Sequence, residues 1–287
     1  MYSSKELAWL IRRHAIEMTH ISQGSHIGSI LSAADIIGFL YSGIARVDPN
    51  NPQWEERDYV ILSKGHAGGG IYAALAETGF FNSSILKTHY ANGSVLSGHV
   101  SHKGVPGVEL STGSLGHGLS VGAGIAYGLK KDSKANRVFV ILGDGECNEG
   151  SIWEAAMIAN SLHLDNLIAI VDRNRLQGLD LTENISTIEP FKEKWEAFGW
   201  NANEINGNDH KALKGAFDHV LSIQNKHPSV IIADTIKGKG VSYMENNVLW
   251  HYRFPHTGEE YSRALAELEK TRPTSIQDPY QGNSPKS

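Results

Sequence analysis

The stretch "RVFVILGDGECNEGSIWEAAMIANS", residues 137–161, changes character twice. Its first six residues form an apolar run that reads as a strand buried on both faces. Asp144 follows, held between Gly143 and Gly145. Asp-Gly after a strand is ordinarily a hairpin turn, but the residues beyond it keep helical rather than alternating spacing. Trp153, Ala156, Met157, Asn160 and Leu164 are expected to share one stripe of a helix beginning near Ser151. The stretch is therefore strand, tight loop, helix.

The same ending recurs. "NLIAIV" (166–171) closes on "DRN", placing Asn174 thirty residues after Asp144. Further apolar runs, "YVILS" (59–63) and "SVIIADT" (229–235), read as strands, and "FKEKWEAFGW" (191–200) as a helix ending near Gly199. Strands apolar throughout, separated by helical segments, predict an α/β fold: a parallel sheet flanked by helices on both faces. There is no internal repeat and no central linker, so residues 1–270 are expected to form one domain. The Pro/Ser/Gln-rich tail, 271–287, is expected to be poorly ordered or to lie on a partner.

Bulk properties narrow the function. The 287 residues suffice for a large core. Twenty-six basic against thirty-one acidic residues give a net charge of −5, which does not suggest nucleic acid as a partner. The longest apolar runs, about six residues, fall short of a membrane span. "MYSSKELAWLIRRHAIEM" reads as an amphipathic helix rather than a secretory signal. The lone Cys147 excludes an internal disulfide. A cytoplasmic location, with no membrane and no nucleic acid as partners, is the expectation.

In a parallel sheet, ligands collect beyond the carboxyl ends of the strands. Asp144 and Asn174 both fall there. A carboxylate and an amide carbonyl are hard oxygen donors that suit Mg²⁺, with Ca²⁺ or Mn²⁺ as substitutes, and Mg²⁺ commonly completes its shell with phosphate oxygens. Gly143 and Gly145 let backbone amides approach a phosphate, and the following helix points its positive end the same way. Histidines gather in glycine-rich loops: His26 in "GSHIG", His66 in "KGHAGGG", His99 in "SGHV" and His117 in "GHG", with His251 in "LWHYRFP". One such histidine is more often a structural hydrogen bond; five in similar loops favour phosphate contact or proton handling. Lys237, in "IKGKG" just past a strand, is a further phosphate candidate. Cys pairs, an HExxH helix, a G-x-G-x-x-G turn, a G-x-S-x-G elbow and a Walker lysine loop are all missing.

"GDG", about thirty residues and then Asn is the thiamine diphosphate fingerprint. Together with "GSHIG", "SKGH", "SGH", "TGSLGHG" and "KGKGVSYMENNVLWH" in that order, the chain resembles the amino-terminal part of transketolases from about residue 5 to 260. The resemblance implies the thiamine-diphosphate-binding fold, in its diphosphate-binding (PP) module. It also implies that Asp144, Asn174 and the main-chain carbonyl of Leu176 hold Mg²⁺ against the cofactor. Gly145, His66, Lys237 and His251, with help from Ser29, would meet the phosphates. Gly113, Ser114 and Leu115 would lie along the aminopyrimidine. His26, His99 and His251 would face substrate hydroxyls, and Glu149 matches a carboxylate that couples the two cofactor sites in such dimers.

The resemblance further implies transfer of a two-carbon ketol unit from a ketose, or ketose phosphate, to an aldose or its phosphate. The chain departs from the family pattern in "HIG" for His-Pro-Gly, in His117 for a frequent glutamine, and in "DRN" for Asp-Asp-Asn. Its length departs most. The module that in full transketolases supplies the glutamate for the pyrimidine ring has no counterpart in these 287 residues, so the resemblance leads to the expectation of a separate carboxyl-terminal, pyrimidine-binding subunit in an α2β2 assembly. Rival readings are half of another thiamine diphosphate enzyme, either the α-subunit of a 2-oxo acid dehydrogenase or a relative of deoxyxylulose phosphate synthase, and a non-catalytic partner subunit.

Overall fold

The computed structural model describes residues 2–276. In chain order these form α1 (Ser4–Ser22), α2 (Ile27–Phe39), β1 (Tyr59–Leu62), α3 (Gly68–Glu77), α4 (His117–Lys131), β2 (Val138–Gly143), α5 (Gly150–Ser161) and β3 (Leu167–Arg173). Then come the short α6 (Thr182–Ile185), α7 (Phe191–Ala197), β4 (Asn201–Asn206), α8 (His210–Ser222), β5 (Ser229–Asp234) and α9 (Gly258–Glu269). The strands pair in the order β1-β2-β3-β5-β4, all parallel. Every strand therefore delivers its carboxyl end to one edge of the sheet.

Side-chain alternation along the strands feeds two cores. Phe139, Ile141, Ile168, Ile170 and Ile231 pack with α1, α2, α3 and α8 on one face. Val138, Val140, Leu142, Ala169, Val171 and Ile232 pack with α4, α5 and α7 on the other. Each large side chain fully buried this way contributes roughly 1.5–3 kcal/mol. Helix α4 lies close on β2 because Gly122 faces the sheet: a Cβ there would meet Val140 Cγ2 at 2.6 Å. The amphipathic α1 is stopped upstream by a capping box, in which Ser3 and Glu6 satisfy each other's backbone N–H groups.

Three readings of the sequence change. The buried stripe of α5 is Ile152, Ala155, Ala156 and Ala159, whereas Met157 is 53% exposed. Strand β4, "NANEIN", has no apolar run to announce it, because it is a half-exposed edge strand whose pairing with β5 supplies its stability. The stretch Ile27–Ile44 is long and apolar enough, by length and composition alone, to cross a membrane, yet it is 83% buried within the fold. All thirteen residues of α2 are buried, as in a helix enclosed on every side. At the carboxyl end, Ile276 packs on the main core, and the rest of the expected tail, 277–287, lies outside the described residues.

Candidate active site

The loops at the sheet's carboxyl edge hold the residues singled out above. Asp144 follows β2 directly and is 3% exposed; Asn174 follows β3 and is 4% exposed. The backbone N–H of Arg175 donates to Asp144 Oδ2 at 2.5 Å, and the next N–H, of Leu176, donates to Asn174 Oδ1 at 3.2 Å. Successive amides of one loop thus hold the two side-chain oxygens side by side. Arg175 adopts φ 63, a left-handed conformation uncommon for arginine.

The Leu176 carbonyl faces the same place and accepts from Lys237 Nζ at 2.9 Å. Lys237, 1% exposed, also touches the Gln177 carbonyl at 3.3 Å and His251 Nδ1 at 2.8 Å. Burial, reinforced by the neighbouring Lys64 charge, pushes its ammonium down to about 8. Among the described residues no group of three or more His, Cys, Asp or Glu is placed to hold a metal ion. The donors at this edge are instead one carboxylate, one amide oxygen and one backbone carbonyl, a set suited to Mg²⁺ shared with phosphate oxygens. Burial, then the charge of Asp172, raises the Asp144 carboxyl above its ordinary value, an anion that a divalent cation would stabilise. The residues fit a metal-bound diphosphate.

Beside this set the histidines converge. The His26 ring lies 5.2 Å from His66, 5.4 Å from His99 and 5.0 Å from His251, centroid to centroid. His26 occupies the N-cap of α2 with φ 75, and its backbone N–H donates to the His251 carbonyl at 2.9 Å. Left-handed backbone at a histidine costs energy of order 1–3 kcal/mol and is found where the surrounding structure enforces it. Its Nδ1 is buried and has no hydrogen-bond partner among the described residues. Burial, then His99 and Lys237, drives the His26 imidazole down to about 4; burial and Lys237 drive His251 to about 3. His66 is likewise lowered, chiefly by burial and then by Lys64, and His99, at the mouth, by partial desolvation of its ring. Neutral imidazoles near pH 7 can both accept and donate a proton.

The remaining candidates surround this cluster. Ser29 is buried in the first turn of α2, behind His26. Gly113, Ser114 and Leu115 form the open strip leading into α4, with Gly113 packed against the His99 ring. Gly145 begins the short 3-10 turn after Asp144, and Glu149 is exposed at the N-cap of α5. His117 is exposed outside the cluster and hydrogen-bonds to the Leu115 carbonyl at 3.1 Å.

Sequence reasoning missed the supports beneath the site. Asp172 is fully buried and pairs with Lys64, Ser32, Thr235 and Asn174. Glu146 is 2% exposed and accepts from Ser63, Gly116 and Gly143; burial raises its carboxyl. Tyr252 crosses the mouth, 4.6 Å from His251 and 5.9 Å from His26, with its ring resting on Gly178. The available signal was position: charges lodged at the ends of buried parallel strands are seldom plain solvated groups.

A parallel α/β sheet whose carboxyl edge joins a hard-oxygen set, a buried lysine and a ring of neutral imidazoles defines a cofactor-binding enzyme module. The family model described as "Transketolase, thiamine diphosphate binding domain" matches residues 3–253, and the chain belongs to that family. It is 42% identical over 259 residues to one of the apulose-4-phosphate transketolase subunits of Phocaeicola vulgatus, covering 90% of this chain and 91% of that one. It is 40% identical to the 6-deoxy-6-sulfo-D-fructose transketolase subunit SqwG of a Clostridium species, covering 91% and 94%. The crystal structure of Campylobacter jejuni transketolase superposes with a TM-score of 0.87 at 28% identity, over 94% of this chain and 43% of that one. The chain thus spans nearly the full length of these two subunits but less than half of the solved transketolase chain.

Proposed function

We propose that this chain is the amino-terminal subunit of a split, thiamine-diphosphate-dependent transketolase. It holds the cofactor's diphosphate end and requires a separate carboxyl-terminal subunit for activity. The observation that carries the reading is the pairing of consecutive loop amides with Asp144 and Asn174, which sets two side-chain oxygens at the sheet edge beside a buried lysine.

Asp144, Asn174 and the Leu176 carbonyl hold Mg²⁺. Lys237, His66 and His251 meet the phosphates, with the Gly145 amide and Ser29 beside them. Gly113, Ser114 and Leu115 run along the aminopyrimidine. When bound, thiamine diphosphate supplies the electron sink for cleaving the bond next to a ketose carbonyl. His99 and His26 hold the ketose C1 and C3 oxygens by hydrogen bonds, and His251 stands ready for the alkoxide. These imidazoles are neutral near pH 7, so each can donate one ring N–H and accept at the other nitrogen, while burial makes the protonated form costly.

Relatives are named for a phosphorylated and for a sulfonated ketose, which supports a ketose bearing a terminal anionic group as the donor class. The assembly is α2β2, and the two copies of this chain meet through α4 and α5. Val121, Tyr127, Met157, Ile158 and Leu162 are 38–54% exposed there, and Gly124 and Gly128 leave open space between them. That face runs up to Glu149, so a second copy seated on it brings the two cofactor clefts together.

Ketol transfer from ketose phosphates, measured with each polypeptide by itself and with both together, tests the reading. Activity only in the mixture supports it. Strong ketol transfer by this chain on its own, or turnover of pyruvate in place of a ketose, overturns it.

A further inference from the structure

Glu146 lies two residues beyond Asp144, in the short 3-10 turn Gly145–Asn148, and its carboxylate is shared among three segments. One oxygen accepts from Ser63 Oγ at 2.5 Å and from the Gly116 N–H at 2.9 Å; the other accepts from the Gly143 N–H at 3.0 Å. Ser63 Oγ in turn accepts from the Gly118 N–H at 3.0 Å. Gly116 is the N-cap of α4 and makes no side-chain cap of its own. Two amides at the start of α4, those of Gly116 and Gly118, are therefore satisfied by a carboxylate and a hydroxyl reaching in from other elements.

The N-cap position itself cannot carry a side chain to do this. Gly116 has φ 87, and a Cβ there would meet Ser151 Oγ at 2.4 Å and Glu149 Cβ at 2.8 Å. The three tethered segments carry three different parts of the site. Ser63 precedes His66, Gly116 follows the Gly113–Leu115 strip, and Gly143 precedes Asp144 and Gly145. A buried carboxylate costs several kcal/mol unless its oxygens are satisfied, and here three donors meet a group that can accept about four.

We propose that Glu146 is a positioning residue, which sets the distance between the aminopyrimidine strip at 113–115 and the diphosphate loop at 143–145. This rests on the thiamine diphosphate reading above. It acts through backbone amides and does not touch the cofactor. A carboxylate is needed because both of its oxygens must accept: Glu146→Gln places an amide N–H against one of the backbone N–H groups.

The test compares the wild-type chain, E146Q and S63A, each studied as the full chain together with its partner subunit. Hydrogen exchange is followed by mass spectrometry, and thiamine diphosphate is titrated calorimetrically in saturating Mg²⁺. E146Q is expected to exchange at least tenfold faster across residues 111–118 while β2 and β3 keep their protection, and to bind the cofactor at least tenfold more weakly. Exchange and affinity within threefold of wild type overturn the proposal. So does faster exchange spread evenly over the sheet, which marks a purely structural role. If E146Q does not fold, S63A decides: exchange at 111–118 alone rising threefold or more supports the proposal, and unchanged exchange overturns it. A wild-type complex that shows no heat with thiamine diphosphate fails the cofactor reading itself, and this inference with it.

Discussion

Lys64 Nζ lies 2.5 Å from Asp172 Oδ2, and neither side chain is more than 2% exposed. Asp172 also receives the hydroxyls of Ser32 and Thr235 and the Asn174 amide. One carboxylate therefore ties the end of β1, the helix α2, the end of β5 and the expected metal ligand to β3. Ser63, the residue before Lys64, reaches the other buried carboxylate, Glu146. Adjacent residues at the end of one strand thus brace the two sides of the cleft.

Removing one partner of this pair leaves the other as a buried, unpaired charge. Lys64→Met is expected to lower the stability of the chain by about 3–5 kcal/mol, measured by urea denaturation, and Lys64→Met with Asp172→Asn should recover part of that loss. A loss no larger than an exposed pair gives, about 0.2–1 kcal/mol, would contradict a role in bracing the cleft.

His66 and His99 are expected to divide their work. His66 is mostly enclosed, with Lys64 close by, whereas His99 is exposed at the mouth. His66→Ala should weaken thiamine diphosphate retention, with excess cofactor restoring most of the turnover. His99→Ala should lower kcat by about 10²-fold or more, the scale of a lost proton-handling group, with cofactor affinity nearly unchanged. Cofactor titration and steady-state kinetics separate the two, and equal losses in both assays would refute the division.

Stability should fall in mild acid. Burial lowers His26 and His89 from 6.5 to about 4, so between these values the unfolded chain binds more protons than the folded one. Stability then rises with pH across that window and is lost as pH falls through it. Melting of the cofactor-free chain should drop from pH 7 to pH 5. His89, 4% exposed and with Nε2 unpartnered among the described residues, contributes without belonging to the cleft. His89→Phe should therefore flatten the slope by up to about 1.4 kcal/mol per pH unit. A melting temperature independent of pH over this range would contradict the neutral, buried state of these rings.

The sequence carried the strands at 59–63, 137–142, 166–171 and 229–235, because a parallel strand covered on both faces must be apolar throughout. Strand β4 lacks that signature, since an edge strand needs only its backbone to pair. The proposed ligating pair stood out for a related reason: Asp144 and Asn174 each follow closely on an apolar run. Lys64, Glu146 and Asp172 were not, although each lies inside or beside a recognisable motif. Their partners are 83 residues away for Ser63 and Glu146, and 108 for Lys64 and Asp172. Only the fold brings such charges together. Met157 was misplaced because an apolar residue at helical spacing reads as core, and here it belongs to the exposed face proposed to meet a second copy.

That face supplies a further prediction. Met157→Glu should halve the mass of the assembly in solution by placing charge at the proposed contact, while the chain melts within a few degrees of wild type. Light scattering coupled to gel filtration reads the mass. An undiminished assembly would place the contact between copies elsewhere.

This chain, completed by its partner, is proposed to hold a divalent cation and a diphosphate at the carboxyl edge of β2 and β3. Crystals of the two-subunit assembly grown with Mn²⁺ and thiamine diphosphate test that claim through the metal's anomalous signal. One peak is expected, bounded by Asp144, Asn174 and the Leu176 carbonyl and continuous with diphosphate density reaching Lys237 and His66. No peak at that edge, or a diphosphate bound away from it, would contradict the claim.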